Sequence, residues 1–251
     1  MARFPRQLGF AFRTWGGARS GAGRPPKAER AGVSHLRRPS RSRHHPLHVT
    51  LRVRLGVSSL REQALFRAVR QALADGKSQF GFSLVQFSVQ RDHIHLIAEA
   101  NDRRALSRGI QGLSIRVARA VNRRLQRKGR LFADRYHARA LTTPRAVKLA
   151  LRYVLLNARR HAGAARTSGL DGIATGFVDS RSSAPWFRDF ARPEGLAFGA
   201  REARDDWQRA SGSTEPPVVR ARTWLLRTCV QRHGPFDSDD TPGTRVNDEV
   251  R

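Results

Sequence analysis

From Leu47 the chain alternates strictly: Leu47, Val49, Leu51, Val53 and Leu55 are apolar, while His48, Thr50, Arg52 and Arg54 between them are polar. A period of two predicts a strand with one buried face. The spacing then changes. Leu60, Ala64, Leu65, Ala68, Val69, Ala72 and Leu73 recur as on a helix, with Ser58-Ser59 as the expected cap and Asp75-Gly76 as the expected end. Residues 80–89 are rich in Phe and Val and turn at Gln90-Arg91-Asp92 into a second apolar run over 93–100, a pattern that predicts an antiparallel hairpin. Beyond Asp102, Leu106, Ile110, Leu113, Val117, Val121 and Leu125 step by threes and fours. Arg103, Arg104, Arg108, Arg116, Arg119, Arg123 and Arg124 fall largely on other faces, so this long amphipathic helix is strongly cationic. Gly129 is its expected stop, residues 135–141 read as a strand, and Pro144 opens a last helix running to about residue 161.

Strand, helix, strand, strand, helix, strand, helix is the order of an α+β fold: a ferredoxin-like split βαβ core with an antiparallel sheet and an appended C-terminal helix that carries Tyr153. The core is expected over residues 44–161. Residues 1–43 mix Arg with Gly, Pro and Ser without a sustained period and read as a disordered basic arm. Residues 162–251 are expected to form a partly ordered C-terminal extension that ends in an acidic mobile tail.

Charge sharpens the picture. Lys and Arg number 48 against 20 Asp and Glu, a formal net charge of +28, and a balance so basic points to a polyanionic partner, nucleic acid first and an anionic membrane surface second. Residues 1–43 hold 11 basic residues against 1 acidic, residues 44–161 hold 24 against 6, and residues 162–251 hold 13 against 13, so the extension is expected to do a different job. Arg outnumbers Lys by 44 to 4; its planar fork suits phosphate, and a GC-rich coding bias produces the same ratio. No run approaches the roughly 18 apolar residues of a membrane span, so a span is excluded, and with nucleic acid the favoured polyanion no membrane partner is expected. A single cysteine, Cys229, can neither close an internal disulfide nor build a thiolate metal site, which fits a reducing compartment; the expected location of such a nucleic-acid-binding chain is cytoplasmic, with the nucleoid.

The candidate chemistry lies in two places. His93-Ile94-His95 falls inside a predicted strand, so both imidazoles leave the sheet on one face while Ile94 and Leu96 enter the other. Side by side they make a chelating pair for a divalent cation, whereas a lone strand histidine is more often a core residue. His44, His45, His48, His137 and His161 are weaker ligand candidates and read as structural or phosphate-facing. Of the two tyrosines, Tyr153 lies in the last predicted helix with Asn157 four residues on, above it on the same face, so a nucleophile and a polar ligand could approach one metal. Helix tyrosines also serve as ordinary half-buried packing. Tyr136, between Arg135 and His137, reads as a packing or stacking residue.

Five segments, in order, resemble the HUH single-tyrosine transposases, in particular the REP-associated, IS200-like branch. They are His48-Val49-Thr50-Leu51, Asp92-His93-Ile94-His95-Leu96-Ile97, Gly129-Arg130-Leu131-Phe132-Ala133-Asp134-Arg135-Tyr136, Tyr153-Val154-Leu155-Leu156-Asn157 and Ser182-Ser183-Ala184-Pro185-Trp186. The resemblance spans roughly residues 44 to 190. It implies that His93 and His95 bind Mg²⁺ or Mn²⁺, that Asn157 is a third polar ligand, and that Tyr153 attacks DNA to give a 5′-phosphotyrosine and a free 3′-OH. Single-stranded or hairpin DNA is the implied substrate, and the implied state is a monomer or homodimer. Arg103, Arg104, Arg108, Arg116, Arg119, Arg123, Arg135 and Arg139 are the expected DNA contacts. Two positions depart from the family pattern: Ala158 follows Asn157 where relatives often carry Pro, and Asp92 stands where Asn is common. The competing readings are a catalytically idle single-stranded DNA or RNA binder of the same fold, a replication initiator or relaxase, and a ribosomal or other structural RNA-binding protein. The intact set His93, His95, Tyr153 and Asn157 favours the transposase.

Overall fold

The computed structural model describes residues 42–157, 178–190 and 197–236. Residues 1–41 of the basic arm, residue 161 and the acidic tail past 236 lie outside the described residues. Five strands form one antiparallel sheet in the order β2-β3-β4-β1-β5: β1 Leu47–Arg52, β2 Ser78–Gln79, β3 Phe82–Val89, β4 His93–Ala100 and β5 His137–Ala140. Helix α1 (Gln63–Asp75) connects β1 to the two-residue β2, and α2 (Arg103–Arg124) connects β4 to β5. The first strand thus sits between β4 and β5, which is the split βαβ, ferredoxin-like arrangement that the periodicity predicts.

Alternation allots the side chains to two layers. Leu47, Val49 and Leu51 of β1 join Ile94, Leu96 and Ala98 of β4 under α1 and α2, in one apolar cluster. The opposite face is covered by α3 (Pro144–Leu155), whose Val147, Leu151 and Val154 pack with Val85 of β3 and Ile97 of β4. With both faces covered, every residue of β3 is buried, so that strand shows no alternation in exposure. α2 lies so close to β3 that a Cβ on Gly109 would stand 2.2 Å from Cγ of Phe82, a contact only glycine avoids.

Several boundaries differ from those expected. Ser58-Ser59 does not cap α1, which starts at Gln63 without a side-chain cap; the Ser59 hydroxyl and carbonyl instead accept from the Arg61 and Glu62 N–H groups in the preceding turn. α2 does begin on Asp102, whose carboxylate accepts from the Ala105 N–H at 2.7 Å. It ends at Arg124, short of Gly129, which belongs to the turn beyond. The segment expected as a strand from residue 80 starts at Phe82, because Phe80 and Gly81 form a tight turn after β2. α3, capped by Thr143 and opened by Pro144, stops at Leu155 with Leu156 as its C-cap. Nor is α3 the last helix, for α4 (Ala197–Ser211) and α5 (Trp224–His233) follow.

The described part of the extension packs into the core. Val178, Ala184, Phe190, Leu225, Leu226 and Phe236 complete the layer around α3. Ser183 ties it to β3: its hydroxyl accepts from the Phe87 N–H at 2.8 Å and donates to Gln86 at 2.5 Å. Asp206 of α4 accepts from Arg67 and from Arg70, whose buried guanidinium lies 5.1 Å from the rings of both Phe66 and Trp207. Asp179 pairs with Arg61 at 2.9 Å, and buried Glu99 accepts from the backbone N–H groups of Arg222 and Thr223 ahead of α5. Carboxylates of the neutral third therefore offset arginines of the core.

Candidate catalytic site

β1 and β4 are in register so that Thr50 stands opposite His95 and Arg52 opposite His93. Directly opposed residues point the same way, so His48, Thr50, His93 and His95 share the face that α3 covers. On that face four rings gather. The centroids of His93 and His95 are 4.6 Å apart, those of His48 and His95 5.2 Å, those of His95 and Tyr153 5.0 Å, and those of His48 and Tyr153 5.8 Å. The helix thus brings Tyr153 against the histidine pair. Tyr136 is elsewhere: it packs on the apolar cluster under α1 and α2, across the sheet.

Each ring of the pair is anchored at Nδ1. His93 Nδ1 lies 2.7 Å from the Asp92 carboxylate, which also faces Arg52 at 3.8 Å. Partial burial alone would raise the Asp92 pKa, but the hydrogen bond and charge of His93, with Arg52, hold it below the usual carboxylate range. His95, which is buried, places Nδ1 3.2 Å from His48 Nε2 and 3.2 Å from the Thr50 hydroxyl. Burial, then the nearby charges of His137 and Arg139, lower the His48 pKa to about 4, so His48 is neutral at physiological pH. His48, expected from the sequence to be structural or phosphate-facing, stands beside His95 in the ring cluster. It shares the alternation phase of Thr50, but its contact with His95, 47 residues away, depends on strand register.

Asn157 lies just past the end of α3, so it is not carried on one continuous turn with Tyr153. Its side chain is 1% exposed, and among the described residues neither Oδ1 nor Nδ2 has a hydrogen-bond partner. Among the described residues no group of three or more His, Cys, Asp or Glu side chains is arranged to hold a metal ion. The expected DNA-contacting arginines divide between two surfaces. Arg139 stands opposite His48 on β5 and shares the histidine face, with Arg135 exposed just ahead of that strand. Arg103, Arg104, Arg108, Arg116, Arg119 and Arg123 belong to α2, on the other side of the sheet. The Ser182 to Trp186 segment is a strut: Ser182 bridges to Ser88, and Trp186 meets Trp207 edge-on at 6.5 Å.

These observations give the core, the ring cluster and the tyrosine helix one address. Residues 43–155 match the family model of IS200-like transposases. The IS200-like match takes in all five strands, His48, His93, His95 and Tyr153, and it bears out the resemblance carried by the motifs. It supports an enzyme of the DNA transposase type. Among solved structures, the chain is similar to a REP-associated tyrosine transposase bound to a REP hairpin, at 17% identity and a TM-score of 0.43, over 51% of this chain and 74% of that one. It is also similar to a candidate transposase from Deinococcus radiodurans R1, at 17% identity and a TM-score of 0.34, over 41% of this chain and 84% of that one. No curated protein matches the chain. Among the described residues no helix is long and apolar enough to cross a membrane.

Proposed function

We propose that the protein is a metal-dependent transesterase of single-stranded or hairpin DNA, with Tyr153 as nucleophile. The observation that carries this reading is the packing of the Tyr153 ring 5.0 Å from His95, inside the cluster that also holds His93. Nε2 of His93 and of His95, with the amide oxygen of Asn157, would hold the cation. The fit rests on Asn157, a buried amide whose polar atoms lack a partner among the described residues, and the nitrogen-rich donor set suits Mn²⁺ at least as well as Mg²⁺. The chemistry such an ion supplies when bound is neutralisation of a non-bridging oxygen of the scissile phosphate. Asp92 holds the His93 ring, while Thr50 and His48 hold the His95 ring, so each keeps its orientation when Nδ1 is the anchored nitrogen.

Tyr153 forms a bond from its phenolic oxygen to phosphorus as the bond from phosphorus to the 3′ oxygen breaks. The proton lost by the tyrosine is balanced by the one gained at the 3′-OH. One phosphodiester replaces another, so the step reverses without an external energy source. Arg139, on the same face, offers charge to the flanking phosphates.

The test is a denaturing gel with full-length protein, labelled single-stranded hairpin DNA and Mn²⁺ or Mg²⁺. Wild type and Tyr136→Phe should form a covalent adduct. Tyr153→Phe should form none while binding DNA nearly as well, and EDTA should stop the wild type. An adduct that survives Tyr153→Phe, or full activity in EDTA, overturns the nucleophile or the metal respectively.

A further inference from the structure

The turn between β2 and β3 is built against its own residue preferences. Gln79 pairs with Phe82, so Phe80 and Gly81 are the two residues of a hairpin loop, with φ of +52° and +78°. Positive φ at both positions defines a type I′ turn, whose first position takes Asn, Asp or Gly readily and a bulky side chain only with strain. Here that position holds phenylalanine, and the ring gains no burial in return: Phe80 is 63% exposed. Strain kept at an exposed aromatic points to a use outside the fold.

What surrounds the ring is cationic. The Arg108 guanidinium stacks over the Phe80 ring at 4.3 Å, and Arg116 donates to the Gln79 side chain at 3.2 Å. Arg116 also lines a cleft of about 590 Å³ between α1 and α2, together with Arg119, Arg123, Arg124, Gln71 and a single acid, Asp75. Among the described residues no carboxylate forms an ion pair with any of Arg104, Arg108, Arg116, Arg119, Arg123 or Arg124. The tip is firmly mounted, since the Gly81 carbonyl accepts from the Asn101 N–H at 3.0 Å where β4 leads into α2.

We infer that Phe80 and the arginine ridge of α2 form a second DNA-binding surface, across the sheet from Tyr153, on which Phe80 stacks against an unpaired base of a single strand. An aromatic face held between a guanidinium and solvent takes the π-face of a base, and arginines beside it take the phosphates. The occupant is single-stranded because bases inside a duplex already stack on one another and offer no face to a protruding ring. This inference rests on DNA being the substrate, and it adds a strand-holding surface that the Tyr153 chemistry does not require.

The experiment uses the full chain and a DNA hairpin with a single-stranded extension that carries 2-aminopurine at successive positions, with a blunt hairpin as control. Wild type should quench the fluorescence of one or two extension positions. Phe80→Asn suits the turn and removes the ring; it should abolish that quench, weaken binding of the extended hairpin about tenfold, as expected for the loss of one base–aromatic stack, and keep or raise the melting temperature. Phe80→Trp should retain the quench. Arg119→Gln with Arg123→Gln should flatten the dependence of affinity on salt while leaving the position of the quench unchanged. Unchanged affinity and quench in Phe80→Asn, or equal affinity of wild type for the blunt hairpin, overturns the single-strand surface. Loss of all DNA binding by wild type would instead overturn the proposed function, and Tyr153→Phe adduct assays separate the two.

Discussion

At the scale of single residues, the buried amide of Asn157 is the most informative group. A polar side chain closed off from water without a partner costs about 1–3 kcal/mol, and a fold keeps that cost where a ligand repays it. Asn157→Leu should therefore stabilise the metal-free protein by about 1 kcal/mol in urea denaturation with EDTA present, and should abolish activation by Mn²⁺. Equal or lower stability in the leucine variant would show that the amide is satisfied in solution and is not a waiting ligand. Asn157→Ala should recover part of its cleavage in excess Mn²⁺, since losing one neutral donor weakens the site without removing the histidine pair. His93→Ala and His95→Ala should show no such recovery. Cys229 is inert by contrast: it is fully buried, and burial pushes its thiol up to about 11, so little thiolate exists at neutral pH.

At the scale of elements, helix α4 is fastened to α1 through Asp206. Burial alone would raise the pKa of this carboxyl, but hydrogen bonds from Arg67 and Arg70 and their charges hold it below the usual carboxylate range. A folded-state pKa below the unfolded one gives stability that is complete above the unfolded value of about 3.9 and is lost as pH falls through the lower folded value. Asp206→Ala leaves the Arg70 guanidinium, with 1% of its side chain exposed, without its counter-charge, and should cost about 3 kcal/mol at pH 7. Urea denaturation of both proteins from pH 7 to pH 3 checks this. The gap between them should narrow at the acid end, and a constant gap would mean that packing of α4, not the ion pair, is what the substitution removes.

At the scale of the whole molecule, charge is spread over two faces of the sheet and the N-terminal stretch of the sequence. The sheet separates the histidine cluster, with Arg139, from the arginines of α2, so a DNA that touches both must pass around an edge of the sheet. Residues 1–43 add 11 basic residues against 1 acidic one. Deleting them should weaken DNA binding and flatten the slope of log affinity against log salt, because a protein that neutralises fewer phosphates releases fewer counterions on binding. Cleavage at saturating DNA should survive, since His48, His93, His95, Tyr153 and Asn157 all follow the deletion. Filter binding between about 50 and 200 mM salt measures the slope, and an unchanged slope would remove residues 1–43 from the DNA interface.

The amino-acid sequence by itself determined what depends on near neighbours along the chain. Period-two alternation marked β1, threes and fours marked α1 and α2, Asp102 marked the start of α2, and the spacing of His93 and His95 put two imidazoles on one strand face. Element ends were less legible: Ser58-Ser59 and Gly129 carry cap and stop chemistry but sit in turns, because docking of the helices on the sheet, not local preference, sets where they begin and end. Only the tertiary structure decided the pairings between distant residues. The Thr50 and His95 contact spans 45 residues and requires the register of β1 on β4; shifting it by one residue would send His48 and Thr50 to the opposite face. Layer assignment, which puts Tyr153 with the histidines and Tyr136 across the sheet, follows from which side of the sheet each helix covers. Alternation fixes which residues share a face, but which helix covers that face is settled by packing over the whole core.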